Sequence, residues 1–431
     1  MQAVINLAEK SDAKKSIHQI VKAYGYPFER HYYETEDGHI NMCIRIPGPK
    51  GSLVEDLFKR GRPLKPVVIL QHGLMDSCAG WLLNGDNSLA YLLADLNFDV
   101  WMNNTRGNRY SRHHVYLDPD GTDKEKERFW DYSFEDMAKF DQPALFKYVL
   151  GKTGAQKVTY IGHSQGTTQM FCALAENMEF FKRHMNLFIA LAPVVKVDNC
   201  SSGIIKKLKD KDTLEKMFVK FKVHELFPSK GKNNSATAFL HKIAPEVGNL
   251  GVKLLADDDP KQINQSQLDA YMAHFPSGSS VKSVRHYKQL MIKKQFEHFD
   301  YGPEENTRRY GQPQPPLIPL SNLRDFPIAL FAGGEDHLAN IQDGCLVYYD
   351  EYKFGHLSFL LPKNLRHFHD IIGLVKQYNP EYIPAETDEQ RAVAAAVVSS
   401  EQVVQVEGGA GAVAGSISMG DHLESIIVSS I

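Results

Sequence analysis

A serine hydroxyl attacks a carbonyl carbon only when it is presented, activated by a base and matched with donors for the charge that develops. The run Gly162-His163-Ser164-Gln165-Gly166 meets the first condition. Val158-Thr159-Tyr160-Ile161 before it reads as a buried strand, and Thr167 to Ala175 after it can form a helix. A serine on such a sharp strand-to-helix turn needs glycine two positions away on each side, because a Cβ there would strike the crossing backbone. The turn lifts the hydroxyl above the sheet edge, where the first helical turn offers free N–H groups and the positive end of its dipole. The chemistry expected of Ser164 is acyl transfer through a covalent intermediate, that of a serine hydrolase.

The other parts of such a site should follow strands as well. Where a serine sits on this kind of elbow, the chain order is Ser, then Asp or Glu, then His. The apolar strand ending at Phe331 runs into Ala332-Gly333-Gly334-Glu335-Asp336-His337, which sets Asp336 at a strand's C-terminal end. Asp325 precedes that strand, and Asp343 lies in the next element. For the base, the last strand is expected near His356 to Leu361, and Lys363-Asn364-Leu365-Arg366-His367-Phe368-His369-Asp370 follows it. His367 and His369 both compete there. The oxyanion needs two backbone donors. One is the Gln165 N–H, directly after the nucleophile. The other is the Leu74 N–H, because Gln71-His72-Gly73-Leu74 directly follows the strand Pro66–Leu70.

The elements that must hold these residues alternate in type. A helix is expected over residues 15–30, then a hairpin turning at Glu36-Asp37-Gly38-His39 into Ile40–Ile46. Ile40–Ile46 alternates apolar and polar side chains, as a half-buried strand does. Strands at Pro66–Leu70 and Asp99–Met102 flank a helix over Ser88–Leu96, and Ser133 with Asp136 three residues on marks a further helix start. Strands alternating with helices predict an α/β class with a mostly parallel central sheet. From about residue 199 to 309 the pattern changes. Ile204, Leu208, Leu214, Met217, Phe218 and Phe221 recur at helical spacing among lysines. This stretch is expected to be an inserted, mainly helical cap over the sheet's active edge. The core is thus expected in two parts, 1–198 and 310–384, and the Ala-, Val-, Ser- and Gly-rich 385–431 as a disordered tail.

Composition narrows the classes. With 431 residues and 43% hydrophobic content the chain can bury a large core, and a net charge of −3 gives no basic surface for nucleic acid. Five scattered cysteines, without CxxC or HExxH, suggest neither a disulfide framework nor a zinc site, so no metal or cofactor is expected. No stretch is apolar for long enough to span a bilayer. Residues 1–10 lack the basic start and apolar run of a signal peptide. The expected location is therefore cytoplasmic, or peripheral on lipid droplets or membranes. A leader missing from the sequence would instead make it lysosomal or secreted.

Taken together, the motifs resemble the acid lipase family of α/β-hydrolases over roughly residues 20–380. They include Gly25-Tyr26-Pro27, Thr35-Glu36-Asp37-Gly38, Gln71-His72-Gly73-Leu74, Asp86 to Ala90, Asp99 to Met102 and Arg106-Gly107-Asn108. The elbow follows in the family's preferred form, then His274 to Ser280, Phe299-Asp300-Tyr301-Gly302 and Gly333 to Ala339. The family's histidine motif is usually His-Leu-Asp-Phe. Aligning it with His367-Phe368-His369-Asp370 implies His367 as the base and puts His369 where the family carries Asp. The resemblance implies an α/β-hydrolase fold and hydrolysis of neutral lipid esters, triacylglycerols or steryl esters, at a lipid–water interface. The catalytic set would be Ser164, His367 and Asp336, with the oxyanion on Leu74 and Gln165. A soluble carboxylesterase or thioesterase of the same fold is the alternative, and a non-catalytic lipid carrier ranks below it.

Overall fold

The computed structural model describes residues 12–52, 65–195, 222–227, 260–333 and 345–380. The expected tail and the apolar positions from Ile204 to Phe221 lie outside the described residues, as does Asp336.

Four aliphatic residues and a glutamine make β3 (Val67–Gln71), and β4 (Asp99–Asn103) and β6 (Val158–His163), more mixed in composition, are buried as completely. With β1 (Glu29–Glu34), β2 (His39–Ile46), β5 (His113–His114), β7 (Met185–Leu191), β10 (Ile328–Gly333) and β11 (Leu346–Tyr352) they form one sheet. Its order is β1-β2-β4-β3-β6-β7-β10-β11, with β5 beside β2. All pairs from β4 through β3, β6, β7 and β10 to β11 are parallel; β1, β2 and β5 are antiparallel additions at one side. Successive side chains leave a strand on opposite faces. Accordingly, Val68 and Leu70 join one buried cluster, and Val67 and Ile69 join the other. Both faces are covered, so β2 is buried almost throughout, where its alternating sequence predicts a half-exposed strand.

Elements at the N-terminal side match the sequence with shorter bounds. The first helix covers Ile17–Ala23 and stops before β1, which occupies part of the expected helical stretch. The hairpin turns at Gly38, whose φ of 94° only glycine adopts readily. Leu89–Asp95 forms the helix between β3 and β4. Asp136 accepts the Ser133 N–H at 2.8 Å, as a capping pair should.

One expectation is corrected. The last strand is Leu346–Tyr352, and residues 357–359 form a single 3₁₀ turn where the apolar run near His356–Leu361 predicts a strand.

Between β7 and β10 the described residues of the long insertion are helices at Gln265–His274, Val281–Lys293 and Pro303–Tyr310, plus a two-residue pair, β8 (Glu225–Leu226) with β9 (Ser279–Ser280). An ionic clamp, with Glu135 buried, His298 half-buried and Glu176 exposed, ties it to the core. His298 Nδ1 lies 2.8 Å from Glu135 and its Nε2 2.8 Å from Glu176, the last residue of helix Gln165–Glu176. Burial opposes the imidazolium, but the two carboxylates outweigh it and raise His298 to about 9. Burial opposes the Glu135 charge too, and the His298 bond lowers it to about 2. A raised histidine gives its full stabilisation below its ordinary 6.5 and loses it as pH climbs through about 9. A lowered glutamate gives its full share above 4.5 and loses it as pH falls toward about 2. Both are complete between pH 4.5 and 6.5. His298→Gln should therefore cost about 2–3 kcal/mol in that window. Thermal melts across pH should show the gap to wild type narrowing toward pH 9 and above.

The described cysteines, Cys43, Cys78, Cys172 and Cys345, are free and buried. Among the described residues, no helix is long and apolar enough to cross a membrane.

Candidate active site

β6 lies in mid-sheet, between β3 and β7, and the chain turns at its C-terminal end straight into helix Gln165–Glu176. Ser164 makes that turn at φ 53° and ψ −119°, a conformation that non-glycine residues rarely hold. Its N–H donates to the Leu191 carbonyl at 3.0 Å, and its carbonyl accepts from the Thr167 hydroxyl at 2.6 Å. These bonds fix the backbone on both sides of a residue that is itself half-buried.

The glycines on either side are there for space. A Cβ on Gly162 would stand 2.7 Å from the Gly166 carbonyl carbon, and one on Gly166 would stand 2.5 Å from the Gln71 carbonyl oxygen. Both obstacles are backbone and cannot step aside. Gly166→Ala should cost about 1–3 kcal/mol or more. Gly373 sits in helix Arg366–Gln377 with nothing within 4 Å of its missing Cβ. Gly373→Ala should stabilise by roughly 0.5–1 kcal/mol. Paired thermal melts should shift in opposite directions.

The loop after β3 runs alongside the serine. A Cβ on Gly73 would lie 3.0 Å from Ser164 Cβ and 3.5 Å from its Oγ. Among the described residues, the Leu74 and Gln165 N–H groups take no backbone acceptor. His72 holds the loop's shape. Its Nδ1–H donates to the Gly73 carbonyl at 2.7 Å, and its Nε2 accepts from the Thr105 N–H at 3.1 Å. Burial lowers His72 to about 4, so it keeps the neutral form these two bonds need.

The histidines separate clearly. His367 lies in the first turn of helix Arg366–Gln377, 0% exposed, among the rings of Tyr352, Phe354, Phe359 and Phe368. Its Nε2–H donates to the Phe359 carbonyl at 3.3 Å, and its Nδ1 has no partner among the described residues. Burial lowers it to about 3. The neighbouring Arg366 points outward to Asp350 at 3.0 Å, and His369 is exposed.

His356 is the histidine that meets the elbow. It is half-buried, and its ring centroid lies 4.8 Å from that of His163, the residue before Ser164. The His163 Nε2–H donates to the His356 carbonyl at 2.9 Å, pinning the loop after β11 to the end of β6. Gly333 lets this loop cross the end of β10, since a Cβ there would stand 2.6 Å from the Phe354 carbonyl oxygen. Burial lowers His356 to about 4. The signal was present in the sequence: His356-Leu357-Ser358-Phe359 differs from His-Leu-Asp-Phe at one position. Asp325 is exposed and precedes β10, at the strand end opposite the elbow, while Asp336, Glu335 and Asp343 lie outside the described residues.

Two family patterns match the chain. Residues 17–85 match one described as a partial alpha/beta-hydrolase lipase region, and residues 66–350 match the alpha/beta hydrolase fold. The Mus musculus protein named lipase member K is 36% identical over 388 residues, covering 85% of this chain and 92% of its own. The lysosomal acid lipase/cholesteryl ester hydrolase of Macaca fascicularis is 36% identical over 389 residues, 86% of this chain and 93% of its own. Gastric triacylglycerol lipase of Homo sapiens is 36% identical over 384 residues, 84% of this chain and 91% of its own.

Proposed function

Since the chain belongs to the acid lipase family of α/β-hydrolases, we propose that it hydrolyses carboxylic esters of neutral lipids, with Ser164 as nucleophile and His356 as its base. The observation that carries this reading is the elbow itself. Ser164 is held at a left-handed φ of 53°, with the Gly73 backbone against its Cβ and Oγ and His356 beside His163.

In the first half-reaction Ser164 Oγ attacks the ester carbonyl as His356 takes its proton. The Leu74 and Gln165 N–H groups receive the oxyanion, and the alcohol leaves with the proton from His356. Water, activated by the same imidazole, then attacks the acyl-enzyme and frees the acid. Asp336 is the proposed partner that orients the imidazole and stabilises its charge. His356 replaces His367 in the catalytic set because a base must reach both serine and substrate, and His367 is enclosed with its proton committed to Phe359. Leu74 packs against an apolar cluster to which Tyr271 and Phe275 of the inserted segment also belong, which supports an acyl-binding role for that segment.

The relatives' names refer to triacylglycerol in one case and cholesteryl ester in another. They also refer to stomach and lysosome, which favours a lysosomal or secreted location over a cytoplasmic or membrane-peripheral one. Triolein and cholesteryl oleate emulsions, assayed beside dispersed p-nitrophenyl butyrate at acidic and neutral pH, test the substrate class. Emulsified long-chain ester should be hydrolysed, with activity rising once an interface forms. Turnover of the dispersed short ester alone would make the protein a soluble carboxylesterase.

A further inference from the structure

The loop that carries Leu74 is held from outside the sheet. The next residue, Met75, sits at φ 59°, a left-handed conformation that a side-chain-bearing residue keeps only when its surroundings impose it. Two of the contacts that impose it come from the segment inserted between β7 and β10. The Ser277 N–H donates to the Met75 carbonyl at 2.6 Å. The Tyr271 hydroxyl donates to the Asp76 carboxyl at 3.1 Å.

Asp76 is only 4% exposed. Its second oxygen accepts the Ser77 N–H at 2.7 Å, and its own N–H reaches back to the Gly73 carbonyl at 3.3 Å. Gly80 makes room behind it, since a Cβ there would stand 2.5 Å from Asp76 Oδ2 and 3.3 Å from Leu360, in the turn that follows His356. Asp76 is therefore wedged between its own loop and the inserted helix, with Gly80 behind it. Among the described residues, the titratable groups that face it are the Tyr271 and Tyr110 hydroxyls and the Cys78 thiol, none of them a cation. A buried carboxyl without a cation is costly, and an apolar residue would fill the same space at lower cost.

We infer that Asp76 and Tyr271 are a positioning pair, through which the inserted segment sets the Leu74 N–H against the oxyanion formed at Ser164. The inference rests on the proposed roles of Ser164 and Leu74. It also has a consequence for pH. Burial pushes the Asp76 carboxyl up to about 7, so it is neutral in acid and ionises near neutrality. An anion two residues from a donor that must hold another anion opposes the transition state. Turnover should then fall as pH rises through about 7.

The test uses the full chain with dispersed p-nitrophenyl butyrate, following kcat, KM, melting temperature and fluorophosphonate labelling of Ser164. Tyr271→Phe and Asp76→Ala should each lower kcat by roughly tenfold to a hundredfold with KM little changed. The double variant Tyr271→Phe/Asp76→Ala should be no slower than the slower single. Asp76→Asn keeps the shape and an acceptor for Tyr271. It should retain most of the acid-side kcat and lose the fall near pH 7. The inference is overturned if kcat in both single variants stays within about twofold of wild type while Ser164 is labelled. It is equally overturned if only KM changes, or if Asp76→Asn keeps the fall near pH 7. Wild-type protein that is not labelled at Ser164 would remove the underlying reading of the nucleophile itself.

Discussion

Ser164→Ala should lose ester hydrolysis by on the order of 10⁴-fold or more while melting close to wild type. The substitution deletes one oxygen from a half-buried side chain, and the bonds that hold the elbow are backbone bonds to Leu191 and Thr167. The φ of 53° is costly for serine and alanine alike, so the strain is carried over unchanged. A fluorophosphonate should label the wild type at Ser164 and fail to label the variant. Labelling that persists at the same stoichiometry in Ser164→Ala would place the nucleophile elsewhere.

His356→Ala should be nearly as damaging, because the serine then loses the group that takes its proton. His367→Ala should act on stability instead. It empties a site among Tyr352, Phe354, Phe359 and Phe368 and should cost about 2–5 kcal/mol, with turnover per folded molecule close to wild type. The base must be unprotonated to act. With burial lowering His356 to about 4, kcat/KM on a soluble ester should rise with pH through that range, level off, and fall again near 7 as Asp76 ionises. Rates measured below each variant's melting temperature separate the two histidines. A folded His356→Ala protein with near-normal turnover, beside an inactive folded His367→Ala, would return the catalytic role to His367.

The two halves of the site differ in how legible they are. The elbow could be read because its constraints are local: the crossing backbone at Gln71 and Gly166 excludes a Cβ at two fixed positions, and the strand and helix flank them directly. The Leu74 loop was equally readable, since it follows an uninterrupted aliphatic strand. The histidine loop is not, because among the described residues β11 is the last strand on its side of the sheet. It exposes Leu346, Val347 and Tyr349 and carries Asp350 and Glu351, so its sequence lacks the apolar run of its neighbours. Leu357-Ser358-Phe359-Leu360-Leu361 has such a run, but its burial comes from the packing of a 3₁₀ turn. A strand placed there puts the expected base beyond it, at His367 or His369, and leaves His356, the proposed base, before it. The clamp of His298 between Glu135 and Glu176 joins residues far apart in sequence, and no short pattern could have signalled it.

β7 and β10 are hydrogen-bonded neighbours, and the chain between them leaves at Ala192, whose N–H donates to the Phe331 carbonyl at 3.0 Å, and returns at Pro327, whose carbonyl accepts the Phe188 N–H at 3.1 Å. The excursion therefore leaves at the C-terminal end of β7 and returns at the N-terminal end of the parallel β10, so it must at least cross the sheet once. The entropy of closing a loop grows only with the logarithm of its length, roughly 0.6 kcal/mol for each doubling. Beyond that minimum crossover, the length of the excursion adds little to the cost of closing it. For evolution, or for an engineer, the seam between β7 and β10 is a cassette port: the excursion can be exchanged while β6, with the proposed nucleophile at its end, keeps both its neighbours, provided the replacement also braces the loop at Met75 and Asp76.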